Sequence, residues 1–125
     1  MSVFPPGSLL AGIILILSIL SGIWLTRTGK PVNVVIMTVH KLIALAAVVL
    51  TVVAIYRVYG ATGISPVNWI TILVTGILFL TLFASGAILS TGKVASGAFL
   101  VAHKTFPYLT AICFLLIFFH GLFGR

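Results

Sequence analysis

Not one aspartate or glutamate occurs in these 125 residues. That absence removes carboxylate-bridged metal centres, carboxylate proton relays and two-carboxylate hydrolysis, each of which needs acidic side chains. Charge of either sign is scarce, at 6% of residues against about a quarter in soluble domains. All of it is basic: Arg27, Lys30, Lys41, Arg57, Lys93, Lys104 and Arg125. These residues stand singly between apolar runs, which is not a nucleic-acid footprint. Anionic lipid headgroups are the expected counter-charges for those in loops. The one cysteine, Cys113, excludes an internal disulfide and reads as packing within an apolar run. Met1–Ser8 carries no Lys or Arg, so no cleaved signal is expected there.

What is there is 62% hydrophobic. Four apolar stretches, near Leu9–Thr26, Val32–Tyr59, Trp69–Ser90 and Val94–Phe123, can each cross about 30 Å of hydrocarbon at about 1.5 Å per residue. The connections between them are short, which predicts antiparallel neighbours. The expected fold is therefore an all-α membrane protein, an up-down bundle of four transmembrane helices in a single domain. Pro31 suits the first turn of the second helix. Trp24, Trp69, Tyr56 and Tyr59 fall where interfacial aromatic belts would be. The small excess of Lys and Arg beside the helix 1–2 and 3–4 turns predicts those turns in the cytoplasm and both termini outside, in a prokaryotic plasma membrane.

The chain also repeats itself. Thr28-Gly29-Lys30 leads to His40-Lys41, and Thr91-Gly92-Lys93 leads to His103-Lys104 at the same spacing. Gly12 and Gly22 match Gly76 and Gly86, Ser21-Gly22 matches Ser85-Gly86, and Asn33 matches Ser96. Repeat 1 covers about 8–59 and repeat 2 about 67–123, with a connecting loop at 60–66. Each copy crosses twice, so the two hairpins share an orientation and are expected to be related by a pseudo-two-fold along the membrane normal. Gly12 and Gly76 read as helix-packing positions. Asn33 and Ser96 read as local caps or interface hydrogen bonds.

Ionisable residues inside apolar spans are functional by default, and here histidine occurs in equivalent places on helices 2 and 4. Neighbouring axes about 8–10 Å apart put diagonal helices roughly 11–14 Å apart. Two imidazole arms with metal–nitrogen bonds of about 2 Å span roughly 12 Å. His40 and His103 are thus candidate axial ligands of one iron. The faces of a ring between them need small neighbours, and Ala44, Ala47, Pro107 and Thr110 stand one and two turns on. Its edges need room, for which Gly22 and Gly86 lie at nearly the right depth. Pro107 also removes the hydrogen bond to the His103 carbonyl and permits a kink. A lysine well inside a span costs about 2.5–3.5 kcal/mol. With no acid in the chain, Lys41 and Lys104 would pair with haem propionates, with lipid or with another subunit. His120 lies roughly 25 Å along its helix from His103 and corresponds to Arg57, so it reads as an interfacial anchor.

With these residues the chain resembles the small four-helix b-type cytochromes, membrane subunits or anchors that hold a bis-histidine haem b. His40 and His103 match the axial-ligand role, and Gly22 and Gly86 the close-approach role. Di-haem members use four buried histidines, and helices 1 and 3 have none here, so one haem b is expected. The resemblance implies an electron-transfer subunit rather than a complete enzyme. It also implies a quinone or another redox subunit as partner, within a larger complex or a homo-oligomer. A haem-free structural or assembly subunit and a small transporter are the competing readings.

Overall fold

The computed structural model describes residues 7–29, 31–60, 63–91 and 97–123, with side chains described as far as His120. It contains four helices: α1 (Ser8–Arg27), α2 (Val34–Tyr59), α3 (Pro66–Ser90) and α4 (Gly97–Phe123), with no strand among the described residues. Lys30, Lys93, Ser96, Arg125 and the glycine of the second Thr-Gly-Lys turn lie outside the described residues. All four helices are long and apolar enough to cross a membrane. In hydrocarbon the backbone must satisfy its own hydrogen bonds, and a helix does so within one segment. At 20, 26, 25 and 27 residues, the helices run about 30–40 Å. The longer three therefore exceed a typical hydrocarbon core and accommodate it by tilting or by emerging into the headgroups.

Local chemistry fixes where the helices begin and end. The Asn33 side chain accepts from the amides of Val35 and Ile36 at 3.0 and 3.2 Å. These are two of the orphan donors of a helix start, and they place the first turn of α2 after Asn33. Pro31 consequently lies outside α2, not in its first turn. The proline that does occupy a first turn is Pro66, behind the Ser65 cap, whose Oγ accepts from the Asn68 amide at 3.3 Å. This cap starts α3 three residues earlier than its apolar run suggests. At the other ends, Thr28 and Thr91 do the same thing. Their hydroxyls donate to the carbonyls of Leu25 and Ile88 at 2.8 and 2.7 Å. Gly29 follows Thr28 with φ +75°, the left-handed conformation that ends a helix at little cost only in glycine.

The chain divides into two compact units, Met1–Gly63 with Gly121–Arg125, and Ile64–His120. In the first, α1 and α2 pack along each other. Gly7, at the start of α1, lies against the Arg57 guanidinium near the end of α2; a Cβ there would be 3.5 Å from Nη1. The helices are therefore antiparallel. In the second unit, α3 and α4 meet at Ser85 and His103.

Burial follows one stripe on each histidine-bearing helix. Ala47, Thr51 and Ala54 are buried on α2, and Thr110, Phe114 and Ile117 on α4. Both sets stand 7, 11 and 14 residues after the helix's histidine. The buried threonines return their hydroxyls to carbonyls of the preceding turn, Thr51 to Ala47 at 2.7 Å and Thr110 to Phe106 at 2.9 Å. No buried side-chain nitrogen or oxygen among the described residues lacks a partner. The opposite faces expose large apolar side chains such as Leu42, Leu45, Val49 and Val52, as a lipid-facing surface does. Trp24, Trp69 and Tyr56 are exposed with them, as an aromatic belt requires. Tyr59 is not: it is buried beside Val58, so its ring belongs to the packed side of α2 and not to the belt.

Candidate functional site

An antiparallel hairpin brings together residues equally far from its turn. In the first unit these are Ser21-Gly22 of α1 and His40 of α2. Ser21 Oγ lies 2.9 Å from His40 Nδ1 and also 2.9 Å from the Ser18 carbonyl oxygen, to which it donates. Gly22 is the floor on which the ring rests. A Cβ there would come within 3.1 Å of Cε1, 3.6 Å of Nδ1 and 3.7 Å of Nε2. With no side chain, glycine lets the imidazole lie this close without displacement, whereas a Cβ would push the ring away by a few tenths of an ångström.

The second unit repeats the arrangement. Ser85 Oγ is 2.9 Å from His103 Nδ1 and donates to the Leu82 carbonyl at 3.1 Å. A Cβ on Gly86 would stand 3.0 Å from Cε1 and 3.7 Å from each ring nitrogen. Ser85 is buried, and the two histidines are half-buried. A hydroxyl, a bare backbone and an imidazole thus recur with nearly the same distances in two separate hairpins.

The other expected site residues fall around these contacts. Lys41 and Lys104, each directly after its histidine, are exposed. Ala44 and Pro107 are half-buried, while Ala47 and Thr110 are fully buried. The helix runs unbroken through Pro107. Gly22 and Gly86 do serve a close approach, but the group that uses it is the imidazole of the same hairpin. Gly76, expected as a packing position, is exposed, with nothing within 4 Å of where its Cβ would lie. His120 and Arg57 are exposed near the opposite helix ends. Cys113 is half-buried and free.

The residues that sequence reasoning missed are Ser21 and Ser85. Both were visible as part of the Ser-Gly repeat, but only the glycines were given a role. The missing signal was depth: Ser21 stands nine residues before Lys30 and His40 ten after it, so the two must face each other in a hairpin.

The donor chemistry is narrow. No three His, Cys, Asp or Glu side chains among the described residues gather as a metal site, so a cage built from protein ligands alone is not formed there. A porphyrin iron brings four nitrogens of its own and asks the protein for two, and imidazole is a common axial donor. Two imidazoles held alike suit that requirement. Comparison with family models, with curated proteins and with solved structures found no match.

Proposed function

We propose that this protein is a membrane b-type cytochrome in which His40 and His103 are the axial ligands of one haem b. The observation that supports the reading is the repeated seat of the two imidazoles. Each is tied through Nδ1 to a serine on the partner helix and laid on a glycine. Metal-ligating histidines regularly hold their second nitrogen in such a hydrogen bond. Haem iron with both axial positions filled exchanges electrons rather than binding oxygen. The chain's own contribution is to hold the imidazoles, to surround them with apolar side chains and to exclude water. Ala44, Ala47, Pro107 and Thr110 supply small or ring-like surfaces beside the ligands, and Lys41 and Lys104 supply cations for the propionates. The redox partner is a quinone or a neighbouring redox subunit. The setting is a prokaryotic plasma membrane, with the Thr-Gly-Lys turns on the cytoplasmic side.

One observation favours a second reading. A serine–imidazole hydrogen bond between adjacent helices also fastens a hairpin in lipid, worth on the order of 0.6–2 kcal/mol. Two such fasteners suit a haem-free structural subunit. The absorption spectrum separates the readings. A cytochrome gives a reddish preparation whose reduced form has sharp low-spin bands, lost in both His40→Ala and His103→Ala. A colourless protein whose histidines are replaceable by glutamine without loss of assembly would overturn the haem assignment.

A further inference from the structure

Each serine hydroxyl has one proton to give. At Ser21 that proton goes to the Ser18 carbonyl, and at Ser85 to the Leu82 carbonyl. With the hydroxyl proton on the carbonyl, the oxygen meets Nδ1, 2.9 Å away, as an acceptor, and Nδ1–H is the complementary donor. The alternative tautomer would aim the Nδ1 lone pair at an oxygen whose proton is already committed. Turning that proton toward the ring would leave two acceptors, hydroxyl and carbonyl, about 3 Å apart with nothing between them.

From this we infer that Ser21 and Ser85 are positioning residues that hold His40 and His103 as the Nδ1–H tautomer, placing each ring's lone pair on Nε2. The glycines complete the device by fixing the plane of the ring. A serine sets which nitrogen carries the proton, and a glycine sets where the ring lies. The inference rests on the haem reading only for its purpose: a lone pair on Nε2 is the form in which imidazole ligates iron. The tautomer itself is a property of the protein without cofactor.

The test uses the full chain, labelled with ¹⁵N-histidine, produced without haem supply and placed in lipid bilayers. Nitrogen chemical shifts distinguish protonated from bare ring nitrogens, and His120, exposed on α4, serves as the reference. His40 and His103 are expected to show protonated Nδ1 and bare Nε2. Ser21→Ala should move the His40 signals toward Nε2–H and leave those of His103 in place, and Ser85→Ala the reverse. Threonine at either position should restore the original pattern. On adding haem, each alanine variant should bind about 10–100-fold more weakly, with threonine again restoring affinity. Nε2–H signals at both histidines of the unsubstituted chain would overturn the assignment, whether or not any variant folds. So would a Ser21→Ala protein whose His40 signals do not move. A chain with the expected tautomers that binds no haem would overturn the cytochrome reading and leave the serine assignment standing.

Discussion

Gly22 and Gly86 each face a ring so close that a Cβ would make it shift by a few tenths of an ångström. The gaps of 3.1 and 3.0 Å to Cε1 are shorter than ordinary van der Waals contact, and the ring that must yield is also held by a serine. Gly22→Ala or Gly86→Ala should therefore cost about 1–3 kcal/mol, as overpacking does, despite alanine's better helix propensity. A lowered melting temperature in detergent, with altered haem bands, would register it. Gly76→Ala is the control. With open space around it, it should be tolerated or gain up to about 1 kcal/mol. Equal effects at Gly76 and Gly86 would show that helix propensity and not ring contact decides. In the proposed cytochrome, Lys41 would act through charge. The oxidised iron carries one more positive charge than the reduced, so a nearby cation favours reduction. Lys41→Gln should then lower the reduction potential by on the order of tens of millivolts. An unchanged potential in a redox titration would remove the pairing of Lys41 with a propionate.

At the scale of the helix, length and apolarity were enough to find four spans, because a membrane permits few alternatives to a helix. Their starting points were harder to see. A hydropathy run does not register that Asn33 captures two amides, so α2 begins after the asparagine and Pro31 is left outside. It does not register that Ser65-Pro66 forms a helix start ahead of Trp69. Asn33→Ala should cost about 1 kcal/mol and speed hydrogen exchange at Val35 and Ile36. Unchanged exchange at those two amides would show that the cap adds nothing beyond the helix's own hydrogen bonds. The serines were illegible for a related reason. A serine in an apolar helix ordinarily returns its hydroxyl to its own backbone, and Ser21 does so too. Its second contact, with His40, belongs to the pairing of two helices and not to either one. The repeat hinted at the contact, since Ser21-Gly22 and Ser85-Gly86 match, but gave no chemistry to the match.

Over the whole molecule, duplication is the feature that ties sequence to proposed function. Thr28 and Thr91 close their helices alike, the buried stripes begin at the same distance from each histidine, and the two imidazoles are seated alike. On the proposed reading, a single copy would supply one axial ligand, and two copies would supply the pair that a six-coordinate haem uses. The count of haems per chain therefore tests the account most directly. Titration of haem into the purified full-length protein, followed by absorbance, should saturate at one haem per chain with low-spin bands. That binding should be lost in His40→Ala and in His103→Ala and kept in His120→Ala. Absence of saturable binding, or low-spin binding that survives both the His40 and the His103 substitution, would contradict it.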